Sequence, residues 1–293
     1  MAATAATTST TATSVSVTTR SVAKASWTAL GALMLRDLVV LKKHFWEFVL
    51  RTLIQPFLLC FVFLFVFPKI GQGVGGHGAV EESEFATVLV PGVVGISIMF
   101  QGVQSIALNM AQEFGYTREI EDRVQAPCPI WLVAIAKVLS GAAQGVLSAA
   151  IVLPISAVVH AGGVEAHLTL HWWMILTLVP LACVATAGLG LVLGTSFEPR
   201  NIGLMFGFII LPITFLGGTY YSWPRLAPVK LGGWHWLQTV VLVNPLIYVN
   251  EGMRAAFSDT PHMHLYVIYP VLFGFAFIFL AVGLLNFRRR VLS

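Results

Sequence analysis

Apolar runs of membrane-spanning length, separated by short polar breaks, occupy most of the chain after residue 26. A hydrocarbon core of about 30 Å is crossed by about 20 mostly apolar residues in helical form. Against that length the pattern predicts six spans, at about Phe48–Phe67, Thr87–Met110, Ile130–Val159, Trp172–Thr195, Ile202–Tyr221 and Leu265–Phe287. Pro56 places a kink site in the first span, and Arg288, Arg289 and Arg290 close the last. Ahead of the first span, Trp27, Leu30, Met34, Leu38, Leu41 and Phe45 recur at three- and four-residue steps, while Arg36, Asp37, Lys42, Lys43 and Glu47 take other positions. That is the pattern of an amphipathic helix over 27–46 lying in the headgroup layer.

Between the fifth and sixth spans, 234–243 and 245–257 are too apolar for a loop and too short to cross. Asn244 stands as N-cap and Pro245 at the first helical position of the second piece. Two short apolar helices at that place predict a re-entrant hairpin, shielded by the rest of the bundle because backbone at membrane depth needs its polar groups covered. The fold class is therefore all-α: a polytopic membrane protein with six transmembrane helices, an N-terminal amphipathic interfacial helix and an outer re-entrant helical hairpin. Residues 1–25, rich in Ala, Thr, Ser and Val, read as a disordered, solvated tail on the cytoplasmic side. An organellar transit peptide is the minority reading of that composition.

Composition agrees with the class. The 293 residues are 57% hydrophobic and 10% charged, where a soluble chain carries about 25% charged residues. A cytosolic enzyme, a disordered chain and a disulfide scaffold are excluded. Cys60, Cys128 and Cys183 form no CxxC pair or zinc spacing. The net charge of +4 matters through its placement rather than as a nucleic-acid signal. With the N-terminus inside, all but four of the 17 Lys and Arg residues fall on the cytoplasmic side, the exceptions being Lys69, Arg225, Lys230 and Arg254. The positive-inside rule thus predicts cytoplasmic termini.

The predicted spans contain no Asp or Glu, which argues against ion-coupled transport through intramembrane carboxylates. No GxxxxGK[ST] is present, so the chain holds no nucleotide in a P-loop of its own. No HExxH or GxSxG supports a membrane enzyme, and no ring of charge or filter motif supports a channel. All histidines but His44 fall at or near the outer side, without a three- or four-ligand metal spacing. The polar insertion 111–129 pairs Glu119 with Arg123 at i,i+4 beside Phe114, Ile120 and Val124, and Pro127 and Pro129 end it. It reads equally as a solvated loop and as a short helix docking in a partner's groove. Arg51 reads as a snorkelling cation or as a guard of substrate access. Gln55, Gln101, Gln104 and Gln144 read as helix–helix hydrogen-bonding groups or as the lining of a pathway.

Gln112-Glu113-Phe114-Gly115-Tyr116-Thr117-Arg118-Glu119-Ile120, then Ala126-Pro127 and the run from Lys137 to Gly141, resembles the cytoplasmic loop of type-2 ATP-binding-cassette (ABC) permeases of the daunorubicin-resistance kind. The stretches Phe215–Pro224 and Leu242–Arg254 are similar to that family's fifth span and its N-P-x-x-Y-x-x-E-x-x-R segment, and the likeness covers about residues 30–290. It implies a permease domain over 26–293 that exports an amphipathic or hydrophobic molecule, drug-like or lipid, across the bacterial plasma membrane. Two separate ATPase subunits would bind ATP and Mg, so this chain would be no enzyme and hold no cofactor or metal. A second permease subunit, more readily an identical one, would complete the path among membrane lipids, with no nucleic acid involved. Export of a lipid-linked glycan is the alternative.

Carried over by position, Glu113, Gly115, Arg118, Glu119, Asp122 and Arg123 would form the ATPase-coupling helix. Asn244, Pro245, Tyr248, Glu251 and Arg254 would shape the re-entrant hairpin. From the residues themselves, Asn244 reads as cap, Tyr248 as interface anchor and Arg254 as a snorkelling cation paired with Glu251 at i,i+3, with direct substrate contact as the alternative. Arg51, Gln55, Gln101 and Gln104 would border substrate access. The family's Asp-Arg before Glu-Phe-Gly is Ala111-Gln112 here, which removes two charges from the start of the coupling helix.

Overall fold

A computed structural model describes residues 22–70, 79–115, 129–158, 166–230 and 233–292. It is all-α, with no β-strand among the described residues. Helix α1 covers Val22–Lys43, α2 Phe45–Lys69, α3 Ala79–Gly115, α4 Ile130–Val158 and α5 Trp172–Ser196. After these come α6 (Pro199–Phe215), the short α7 (Trp236–Val240) with a 3-10 turn at Val241–Val243, α8 (Pro245–Phe257) and α9 (Leu265–Leu292).

Five of these helices, α2, α3, α4, α5 and α9, are long and apolar enough to cross a bilayer. The expected fifth span, Ile202–Tyr221, is shorter and broken. α6 passes from a 3-10 turn through α and a π segment at Phe206–Ile210 before Pro212, and ends at Phe215. Gly217 and Gly218 follow, Gly218 with φ +70, a backbone that a residue with a Cβ adopts only at cost. The chain turns away there although its residues stay apolar to Tyr221. Helix α1 also begins earlier than expected, at Val22. It rests Leu33, Met34 and Leu41 toward the bundle while Trp27 and Leu38, assigned to the same face, stay exposed.

α3 is the central pillar. Its most apolar window is 94% buried, against 22% for α2 and for α9 at the periphery. Lipid tails are as apolar as leucine, so helices in a membrane associate by close packing rather than by hydrophobic exclusion. The α3–α5 seam does this with glycine. A Cβ on Gly190 would lie 2.8 Å from the Gly102 carbonyl oxygen and 2.9 Å from Val103 Cα. One turn on, a Cβ on Gly194 would lie 2.9 Å from Ala107 Cα.

α1 and the end of α9 lie at one end of the bundle, because Arg36 lines a cleft with Glu113 at the close of α3, and the neighbouring Phe114 ring packs against Phe287. Near the C-terminus Arg290 Nη1 donates to the carbonyls of Gly194 (3.0 Å), Thr195 (3.1 Å) and Phe197 (2.7 Å) at the close of α5. These are carbonyls that a helix end leaves without intrahelical partners. The same guanidinium sits 4.5 Å from the Phe114 ring centre. α9, α3 and α5 therefore finish together, and this terminal end is distinct from the distal end that holds α7 and α8.

Candidate functional site

At the terminal end, α1, α2, α3 and α4 enclose a cleft of about 390 Å³. Two ion pairs border it, Arg36–Asp37 (3.0 Å) and Lys137–Glu113 (2.6 Å), and His44 Nδ1 lies 3.2 Å from Glu47 Oε2. Arg51 also faces the cleft, and no carboxylate among the described residues pairs with it. Farther along α2, Arg51 borders a second cavity of about 30 Å³ together with Gln55, Gln101 and Gln104. The structure thus brings together the four residues singled out for substrate access. Thr52 donates to Gln101 Oε1 (3.3 Å) and Gln101 Nε2 donates to Gln144 Oε1 (3.0 Å), so one buried glutamine ties α2, α3 and α4. Gln101 and Gln144 bond helix to helix, and Gln55 and Gln104 border the 30 Å³ cavity.

Of the expected coupling residues, Arg118, Glu119, Asp122 and Arg123 lie outside the described residues. Glu113 and Gly115 close α3. Glu113 is buried, and Lys137 from α4 reaches it over 2.6 Å. A Cβ on Gly115 would lie 2.7 Å from Pro199 Cβ, and the Phe114 ring packs edge-on against Phe287 of α9 at 6.1 Å. The root of the polar segment is therefore held against α4, α6 and α9 at once. Lys137→Met removes the ammonium that lies 2.6 Å from the buried Glu113 carboxylate and should cost about 2 kcal/mol. The exchange Glu113→Lys/Lys137→Glu should recover at least half of that loss in thermal unfolding of the detergent-solubilised protein.

At the distal end, Asn244 caps α8: its side-chain oxygen accepts from Leu246 N (2.9 Å) and its Nδ2 donates to Ile213 O (2.7 Å). Pro245 follows as the first helical residue, and every residue from Leu246 to Phe257 is buried. Tyr248 is buried rather than at an interface, and its hydroxyl donates to Leu242 O (3.0 Å). Arg254 does not snorkel. It is fully buried, pairs with Glu251 through Nη1 (3.0 Å), and donates from Nη2 to the carbonyls of Gly218 and Thr219. Glu251 uses both oxygens: Oε1 accepts from Trp223 N (2.8 Å) and Oε2 from Met263 N (2.7 Å). One carboxylate–guanidinium pair thereby clasps the turn after α6, the 3-10 turn at Trp223–Leu226 and the strand-like approach to α9.

Residues 28–258 match the family described as ABC-2 type transporter. The chain belongs to that family. It is 26% identical over 243 residues to the inner membrane transport permease YadH of Escherichia coli (strain K12), which covers 80% of this chain and 86% of the relative. The Shigella flexneri protein of the same name matches to the same extent.

In this ABC-2 chain, sequence reasoning passed over two features that the structure brings out. The Glu113–Lys137 pair joins residues 24 apart, and no local spacing announces it. The glycine seam had a visible signal, the small-xxx-small step Gly190-x-x-x-Gly194 inside an apolar run.

Proposed function

We propose that this chain is the transmembrane permease subunit of an ATP-driven exporter in a bacterial inner membrane, with both termini cytoplasmic. Two separate ATPase subunits drive it, and a second, identical copy completes the pathway. Membership of the ABC-2 family supports the transport role. The convergence of Arg51, Gln55, Gln101 and Gln104 beside a charged cleft at the terminal end is the observation that carries the direction, because it offers polar access from the leaflet where the ATPases would dock. The cargo is amphipathic or hydrophobic, a drug-like molecule or a lipid, taken up at that cleft.

The force enters through 111–126. Closure of the ATPases on ATP moves this segment, and its root is tied to α4 by Glu113–Lys137, to α6 at Pro199 and to α9 at Phe287. A push at one point then displaces three helices. Packed interfaces shift between discrete arrangements rather than deforming smoothly, so the bundle passes the push on as a change in the pathway.

Co-expression with an ATPase encoded in a neighbouring reading frame tests this. The complex should co-purify and hydrolyse ATP faster than the ATPase alone. Glu119→Arg should leave membrane insertion intact and weaken ATPase capture by about ten-fold, the size expected for a reversed charge at a docking surface. Undiminished capture by a Glu119→Arg/Asp122→Arg variant would remove 111–126 from the coupling role.

A further inference from the structure

The cleft at the terminal end has an order of charge along α2. α2 enters the bundle at Phe45, so Glu47 stands at the mouth with its side chain 79% exposed and His44 Nδ1 3.2 Å away. Arg51 follows four residues later, about 6 Å deeper along the helix at about 1.5 Å per residue. Among the described residues, the other cleft charges meet as Arg36–Asp37 and Glu113–Lys137. A carboxylate therefore stands at the start of α2, and a guanidinium with no carboxylate partner among the described residues stands one turn farther into the span. Phe48 and Ile106 supply apolar wall beside it.

We propose that this cleft seats the headgroup of a phosphate- and amine-bearing amphiphile of the aminophospholipid class, its phosphate on Arg51 and its ammonium at Glu47. The proposal rests on the reading of the cleft as the uptake site and narrows its cargo. In a lipid of this class the phosphate joins the glycerol and the amine lies farther from the tails, so a molecule in the adjoining leaflet presents its charges in the order the cleft does. A purely anionic head would satisfy Arg51 and be repelled by Glu47; a cationic head would meet the reverse. A space of about 390 Å³ suits a headgroup rather than a whole lipid. The tails would lie outside it, where α1 exposes Leu35, Leu38 and Val39 next to the cleft residues Arg36, Asp37 and Val40.

The test is native mass spectrometry of the full-length chain, delipidated in detergent, with dioleoyl-phosphatidylethanolamine, dioleoyl-phosphatidylglycerol or tail-less glycerophosphoethanolamine as probes. Phosphatidylethanolamine should bind in preference to phosphatidylglycerol, and the tail-less headgroup should compete poorly. Arg51→Gln should weaken binding of both lipids by about five-fold, the upper range for a single solvent-accessible charge contact. Glu47→Gln should weaken phosphatidylethanolamine alone, so that the preference between the two lipids disappears. Lys69→Gln, at the other end of α2, should change neither. A preference that survives Glu47→Gln, or wild-type binding by Arg51→Gln, overturns the proposal. Competition by glycerophosphoethanolamine as strong as that of the lipid overturns the membrane source of the ligand. No ATPase takes part, so a failure of the exporter reading would show in co-purification and leave this result independent.

Discussion

Arg254→Met should lower the stability of the protein by about 3–5 kcal/mol, the cost of leaving a buried charge without its partner. Glu251 would keep its contacts to Trp223 N and Met263 N but lose the cation that neutralises it. The Gly218 and Thr219 carbonyls would lose a donor at the same time. The expected readout is a monodisperse peak in size-exclusion chromatography that is largely lost, and a melting temperature lower by about 10 °C in whatever remains folded. The double variant Glu251→Gln/Arg254→Met removes both charges and keeps one acceptor oxygen. It should melt above Arg254→Met, because replacing both members of a buried pair costs less than orphaning one. If Arg254→Met melts with the wild type, the clasp does not hold the distal end.

The second large effect is expected at the α3–α5 seam. A methyl group on Gly190 meets backbone on α3, at the Gly102 carbonyl and Val103 Cα, and backbone has no rotamer by which to move aside. Gly190→Ala should therefore force the two helices apart and cost about 1–3 kcal/mol by overpacking. Gly190→Leu should prevent accumulation of the folded protein. Gly274 on α9 is the control, because nothing lies within 4 Å of its added Cβ. There alanine should be neutral or stabilising by up to about 1 kcal/mol, the ordinary gain of replacing glycine inside a helix. Thermal unfolding of the two alanine variants side by side decides the matter: equal melting temperatures would show that the seam is not under steric control.

How far the sequence carried depends on whether the deciding physics was local. The start of α8 was legible because Asn244 and Pro245 act on their own backbone, and α5 was placed within a residue because its apolar run coincides with the helix. α3 exceeds its expected span at both ends. Hydropathy measures the thickness of hydrocarbon, whereas the helix also carries Glu81, Glu82 and Glu84 at one end and Glu113 at the other. α6 failed in the opposite sense: its apolar composition continues to Tyr221, but the turn at Gly217–Gly218 is fixed by Asn250 and Arg254, more than thirty residues later. Arg254 was misplaced for the same reason. Its carboxylate partner Glu251 is legible at i,i+3, but the Gly218 and Thr219 carbonyls that let the pair be buried lie more than thirty residues away. Each of the four polar residues at the 30 Å³ cavity stands out singly as polar inside an apolar run. Their meeting in one place was beyond any single window of sequence.

The brevity of α6 has a consequence for the surrounding bilayer. Seventeen residues rise only about 25 Å, several ångström short of a hydrocarbon core of about 30 Å. Leu204, Phe208, Leu211 and Phe215 make its outward surface apolar from end to end. Where that surface meets lipid, the bilayer should thin to match it, at a cost of fractions of a kcal/mol per ångström. The pinch shortens the distance a polar group travels between leaflets next to this helix, so the activity of the protein should depend on the acyl-chain length of its host membrane.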